Sequence, residues 1–188
     1  IQKALRSLEI GIYGWEYEGI ITIESENQLI NNLRTPTAER ILIIKKAMEL
    51  GKDDNYIHRA TNIDLWFIEK LRNIFNFENK YLKNKNLFGF SKGLMLNAKQ
   101  LGFSDQQIAN LTNSDFYQVR NLRQELKVNP IFKTVDTCSA EFASSTPYHY
   151  STYEESFFNS GNELFDSEIY LDTIKDIKKI MILGGGPN

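Results

Sequence analysis

The sequence predicts a mainly α protein: a helical domain with two related helical-hairpin repeats, followed by an extended strap and the first strand of an α/β domain. Three observations carry this. The segment GKDDNYIHRATNIDLWFIEKLR (51–72) aligns without gaps on GFSDQQIANLTNSDFYQVRNLR (102–123), with eight of 22 positions identical. Helix start and stop signals crowd the chain up to Pro130 and then cease. Near the end, Ile180, Met181, Ile182 and Leu183 form a continuous apolar run that enters a glycine turn, the pattern of a strand buried on both faces.

Taken in order, Ile1 to Glu9 reads as the last turns of a helix, and Gly11 to Tyr17 as a turn-rich connector carrying Trp15. Ser25 with Gln28 has the spacing of a capping box, in which each side chain satisfies a backbone donor of the first turn. A short helix through Leu33 follows. Thr35-Pro36 is a second start signal, since proline is tolerated at the first helical position. The helix AERILIIKKAMEL then ends at Gly51, past its last turn. The repeat unit reads as helix, glycine stop, short helix, Thr-Asn turn and longer helix. Its identities are Gly51/Gly102, Asp54/Asp105, Ile57/Ile108, Thr61/Thr112, Asn62/Asn113, Asp64/Asp115, Leu71/Leu122 and Arg72/Arg123; just upstream, Ala47/Ala98 and Leu50/Leu101 also match. Ser104 with Gln107 is another capping box. Each copy is expected to bury its apolar face against the other, Leu65, Phe67, Ile68 and Leu71 against Phe116, Val119 and Leu122. From Pro130 the chain shows neither helical period nor strict alternation, and SFFNSGNELFDS reads as a loop.

Composition excludes several functions. The 188 residues are 41% apolar and 24% charged with net charge −2, so bulk charge draws the chain neither to nucleic acid nor to an anionic membrane. No apolar run approaches the roughly 20 residues of a membrane span. One cysteine excludes an intramolecular disulfide framework and fits a reducing compartment. The opening IQKALRSLEIG and the closing KKIMILGGGPN lead to the expectation of an internal segment of a longer polypeptide, in which missing targeting signals carry little meaning.

The chemistry-bearing residues concentrate in VDTCSAEFASSTPYHYSTYEE (135–155). Cys138 with His149 would suggest a thiol nucleophile and its base, but nothing in the spacing places the imidazole within reach of the sulfur. Asp136, Glu141, Glu154 and Glu155 could ligate a metal or work as an acid/base pair. The structural reading is preferred. A covered irregular strand must satisfy its amides, and Asp136, Thr137, Cys138, Glu141 and Glu154 stand in the polar stretch that does so. Phe142, Tyr148, Tyr150 and Tyr153 anchor it to neighbours. Gly184, Gly185 and Gly186 lack both the GxGxxG pattern and a P-loop lysine, so close backbone packing is expected there. His58 has Ala109 as its repeat counterpart and is read as a surface or packing histidine. The second repeat has the outline of a helix-turn-helix, with Arg120 and Arg123 on its second helix. That helix also carries Asp115, Phe116 and Tyr117 in a net acidic chain, against the phosphate contacts on which such affinity depends. No residue is read as catalytic, cofactor-binding or metal-ligating.

FKTVDTCSAEFASSTPYHYSTYE, followed about thirty residues later by KIMILGGGPN, resembles the middle of the large subunit of carbamoyl-phosphate synthase. QKALRSLEIG resembles the end of that family's first synthetase half, and TNIDLWFIEKL a helix of its central oligomerisation domain. The resemblance implies a tail of the first half at 1–23, a helical oligomerisation domain at 24–130, a linker strap at 131–177 and the start of the second half at 178–188. It implies a parent ligase making carbamoyl phosphate from bicarbonate, glutamine-derived ammonia and two ATP, for arginine and pyrimidine synthesis. The parent would use ATP with Mg or Mn, with K as a further candidate ion. The residues binding them would lie outside this segment, which is expected to be non-catalytic. Implied partners are the flanking halves, a glutaminase small subunit or domain, and further copies of the chain; nucleic acid and membrane are not among them. A cytoplasmic or organellar (mitochondrial or plastid) location follows. A helical protein-interaction adaptor is the alternative, with DNA binding behind it.

Overall fold

A computed structural model describes residues 1–8, 10–17, 20–139, 141–142 and 148–154. It divides into two compact units, Ile1–Asn129 and Pro130–Asn188. The first is helical: α1 (Gln2–Arg6), α2 (Glu26–Arg34), α3 (Arg40–Glu49), α4 (Asp54–Thr61), α5 (Leu65–Phe77), a π-helical turn (Glu78–Leu82), a 3-10 turn (Leu87–Gly89), α6 (Lys92–Gln100), α7 (Asp105–Thr112) and α8 (Phe116–Glu125). In the second, β1 (Ile131–Thr134) pairs antiparallel with β2 (His149–Thr152), Ile131 opposite Thr152 and Thr134 opposite His149.

The caps account for most boundaries. Ser25 accepts from the Gln28 amide, and the Gln28 side chain returns to the Glu24 amide. Thr35-Pro36 does not start α3, which begins at Arg40. The chain there first makes a turn closed by the Arg40 amide on the Thr37 carbonyl, and Glu39 provides no side-chain cap. Helices α3 and α6 end alike. At α3 the Lys52 amide reaches back to the Ala47 carbonyl and Gly51 to Met48; at α6 Phe103 reaches Ala98 and Gly102 reaches Lys99. This double bond pattern requires a left-handed residue, and Gly51 and Gly102 have φ of 78° and 89°.

The core runs through Leu29 and Leu33 of α2, Leu42, Ile44 and Ala47 of α3, Ile57, Ile68, Met95, Ala98, Ile108 and Val119, all buried. The expected packing of one repeat's long helix on the other's is not among the main contacts. Each hairpin closes on itself, α4 on α5 and α7 on α8, while α5 also packs on α3 and on the π turn. Ile68 and Leu71 are buried, but Leu65 and Phe67 face solvent. The reason is local: a left-handed asparagine between the two helices folds the short one back onto the long one.

Residues 1–17 pack into the first unit. Trp15 is fully buried; its indole N–H donates to the Ile41 carbonyl and its amide to Gln2 Oε1. Gln2 Nε2 donates to the Leu101 carbonyl, and Arg6 to that of Gly102. In the second unit, the stretch expected to lack regular structure has a ladder. Lys133 and Tyr150 sit opposite each other, the Val135 amide extends the pairing to the Tyr148 carbonyl, and Lys133 pairs with Glu154 at 2.6 Å. The ribbon, Ile-Phe-Lys-Thr on His-Tyr-Ser-Thr, has no buried face, so the sequence carries no period-two signal there.

Candidate functional site

The eight repeat identities carry the same geometry in both hairpins. Asp53 and Ser104 cap α4 and α7. The Thr61 and Thr112 hydroxyls each donate to a carbonyl four residues back, at 2.7 Å, of the buried Ile57 and Ile108. Asn62 and Asn113 take the left-handed conformation with φ of 57° and 51°, a state asparagine tolerates better than other side chains. Asp64 and Asp115 then cap α5 and α8, accepting from the amides of Trp66 and Tyr117 at 2.8 and 2.7 Å. Arg72 bonds Asp54 at 2.8 Å and Arg123 bonds Asp105 at 3.0 Å, each tying the long helix to the start of the short one.

The copies differ in burial. The Asp54 pair is half open, whereas Asp105 also receives Lys99 at 2.7 Å and is largely enclosed. Burial pulls the Lys99 ammonium below its ordinary pKa, and Asp105 opposes that shift. A Cβ on Gly51 would meet open space, whereas one on Gly102 would touch the Gln2 side chain at 3.4 Å.

The π turn brings Glu78 to Lys45, and both are almost wholly buried. Lys45 Nζ donates to Glu78 Oε1 at 2.7 Å, to Oε2 at 3.0 Å and to the Trp15 carbonyl at 2.6 Å. π-Turns inside helices often mark functional places; here the turn aims a carboxylate at a cation. The pair lies on the wall of a cavity of about 530 Å³ that Glu16, Lys83, Asn84 and Asn110 also line. Opposite charges balance there, with Lys45 held by Glu78. Gln107 is fully buried with neither amide atom hydrogen bonded, pressed on Gly14. The Ser104–Gln107 box therefore forms only its Ser104 half; the complete box is at Asp115 and Gln118.

The described strap residues are not brought together as a reactive centre. Asp136 accepts from the Cys138 amide, and the Glu141 amide donates to the Cys138 carbonyl, so this part is a turn. Cys138 Sγ lies 3.9 Å from Thr137 Oγ1, while His149 Nδ1 is 3.4 Å from Thr134 Oγ1. Glu154 takes Lys133, whose hydrogen bond holds the carboxyl below its ordinary value. Phe142, Tyr148 and Tyr150 are exposed and Tyr153 is half-buried. Glu155, Gly184, Gly185, Gly186 and the expected strand at 180–183 lie outside the described residues. Among the described residues, no three of His, Cys, Asp and Glu are grouped to hold a metal ion. His58 Nδ1 donates to the Ile63 carbonyl at 2.7 Å, as a packing histidine does. On α8, Arg123 is committed to Asp105 and the Val128 carbonyl, while Arg120 is exposed, a single cation on a helix that begins with Asp115. No helix among the described residues is long and apolar enough to cross a membrane.

The surface feature that remains is aromatic. Trp66 is 57% exposed and stands edge-on to Phe67, 4.9 Å between centroids. Tyr117, its repeat counterpart, is 65% exposed and edge-on to Phe116 at 5.3 Å. Tyr81 is exposed as well, while Phe75 and Phe77 are half-buried.

Comparison with known proteins matches residues 1–127 to the family described as carbamoyl-phosphate synthetase large chain, oligomerisation domain. Over its whole length the chain is 42% identical to a carbamoyl phosphate synthase large chain of Nostoc sp., covering 16% of that protein. It is 42% identical to one from Methanobrevibacter smithii, covering 15%, and 39% identical to one from Archaeoglobus fulgidus, covering 16%. The chain thus spans about one-sixth of the length of these relatives.

Proposed function

This chain belongs to the family of the carbamoyl-phosphate synthetase large chain oligomerisation domain, and from that premise we propose that it is the non-catalytic central segment of such a large chain. Its role is mechanical: it holds two ATP-dependent synthetase halves in fixed relation and supports association of subunits. The parent is a ligase that makes carbamoyl phosphate from bicarbonate, glutamine-derived ammonia and two ATP, for arginine and pyrimidine synthesis. ATP with Mg or Mn, and K as a further candidate ion, belong to the flanking halves, and the ammonia comes from a glutaminase small subunit or domain. A reducing compartment, cytoplasmic or organellar, suits it.

The observation that carries this reading is the full-length match at about 40% identity to large chains from bacteria and archaea. The chemistry of the described residues supports it, since their ion pairs and caps are spent on the fold itself. A rigid spacer also suits a reaction whose carbamate must pass between sites without escaping to water. The test is an assay of the full-length polypeptide containing this segment against the segment alone. The full chain with its glutaminase turns over ATP to carbamoyl phosphate, and the segment alone hydrolyses none. ATP turnover by the segment would overturn the spacer role. Failure of the full chain to make carbamoyl phosphate would overturn the parent activity.

A further inference from the structure

Resting on the spacer reading, we propose that the N-terminal residues form a brace that holds the two repeats at a fixed spacing, with Gln2 as the positioning residue that couples its two anchors. The repeats are α3–α5 and α6–α8, which also match at Ala47/Ala98 and Leu50/Leu101 ahead of each hairpin. Among the main contacts between described elements, only that of α7 with the π turn joins one repeat to the other. The Asn84 amide adds a bond to the Leu111 carbonyl at 2.8 Å, and Phe77 meets Phe103 at 5.9 Å between centroids. Next to these links lies the cavity of about 530 Å³. Lys83 and Asn84 line it from the first repeat's side, Asn110 and Leu111 from α7, and Ile12 and Tyr13 from the N-terminal segment. A close-packed interior fixes the spacing of the elements around it and transmits strain between them; a cavity does neither.

The N-terminal segment is bonded to both repeats. On the first, the Trp15 indole donates to the Ile41 carbonyl at 2.8 Å, and the Trp15 carbonyl accepts from Lys45 at 2.6 Å, both on α3. On the second, Gln2 Nε2 donates to the Leu101 carbonyl at 2.8 Å and Arg6 Nη1 to the Gly102 carbonyl at 3.0 Å. Ser104 Oγ donates to the Tyr13 carbonyl at 2.8 Å. Gln2 joins the two sets. Its Nε2 holds the second repeat while its Oε1 accepts the Trp15 amide at 3.3 Å. A side-chain amide can donate and accept at once, and this one is 1% exposed. The corner it grips is specific to one repeat: a Cβ on Gly102 would touch Gln2 at 3.4 Å, whereas one on Gly51 would meet nothing. Under the spacer reading, the polypeptide that leads into Gln2 is thereby fixed to both repeats rather than to one.

Hydrogen exchange read by mass spectrometry on the full-length polypeptide, wild type against Gln2→Met, tests the brace. Amides of residues 12–17 are expected to exchange about tenfold faster in the variant, as in a locally opening unit that has lost one net hydrogen bond, while those inside the two hairpins keep their rates. Spin labels on ketone side chains introduced at Glu69 of α5 and Arg120 of α8, both exposed, read the spacing of the repeats. Their distance distribution is expected to widen about twofold in Gln2→Met, because an ensemble of spacings replaces one. Unchanged exchange would show that Gln2 couples nothing. Faster exchange spread evenly over both hairpins would make the N-terminal residues part of one cooperative core. Faster exchange at 12–17 with an unchanged distribution would show that the repeats keep their spacing without the brace. Each of these results overturns the proposal. Arg6→Met, which loses the bond to Gly102 and keeps Gln2, serves if Gln2→Met does not fold: it is expected to speed the same amides to a smaller extent, and no effect there overturns the proposal too. Both readouts are independent of carbamoyl phosphate formation, so a failure of the parent reading shows in the wild-type assay and leaves the brace decided by exchange and distance.

Discussion

Gln107 is a residue whose sequence context and structure point in opposite directions. Three residues after Ser104 it looks like a capping partner, yet its amide is buried against Gly14 with neither atom bonded. A buried amide without partners costs about 1–3 kcal/mol. Gln107→Met, similar in shape and apolar, is therefore expected to stabilise the chain by about 1–2 kcal/mol in urea unfolding; a loss of stability would show that the amide is satisfied. Gly14→Ala has the opposite sign, because a Cβ there would sit 2.0 Å from Gln107 Oε1; overpacking of this kind costs about 1–3 kcal/mol. The Lys45–Glu78 pair is the other case. Glu78→Gln leaves Lys45 charged and enclosed, and breaking one side of such a pair costs about 3–5 kcal/mol. Lys45→Met combined with Glu78→Leu is expected to recover most of that loss. If the double variant is no more stable than Glu78→Gln, the pair contributes more than its own desolvation removes.

Among the elements, the hairpin is the unit that the sequence states most clearly. Left-handed Asn62 and Asn113 explain why a Thr-Asn dipeptide recurs where one helix must turn into the next. Replacing either by alanine is expected to cost about 1 kcal/mol, while glycine is close to neutral; thermal unfolding of the four variants measures both. Asp105→Asn is expected to destabilise more than Asp54→Asn, because Asp105 serves both Lys99 and Arg123 in a more enclosed place. The tie between α2 and α4 is titratable. Hydrogen bonds from Lys52 and then Tyr56 hold the Glu26 carboxyl below its ordinary value of 4.5. A carboxyl lowered in the folded state stabilises above its unfolded pKa, and that contribution is lost as pH falls through the folded value. The Tm is therefore expected to drop on acidification below about pH 4.5, less steeply in Glu26→Gln; equal slopes would remove Glu26 from the account. Lys99 gives the same sign of pH dependence, in the alkaline range. Its lowered pKa is a penalty at neutral pH that is relieved as pH rises toward 10.5.

For the whole molecule, the sequence by itself determined the helical class, the repeat and its punctuation, because caps, glycine stops and left-handed asparagines act over a few residues and leave fixed spacings. The VDTC–STYE stretch and KIMILGGGPN pointed to the family that the match over residues 1–127 then supplied. What the sequence read as an irregular strap is partly a two-stranded ribbon; with four residues per strand and neither face buried, it leaves no alternation in the sequence to read. Only the tertiary structure decided that each hairpin closes on itself, that Trp15 and Gln2 bind the N-terminal residues into the helical unit, and that Glu78 neutralises Lys45 33 residues away. It also decided that Trp66 and Tyr117 face outward. Burial and long-range pairing depend on which surfaces meet in space, and a local pattern of side chains is compatible with more than one such meeting.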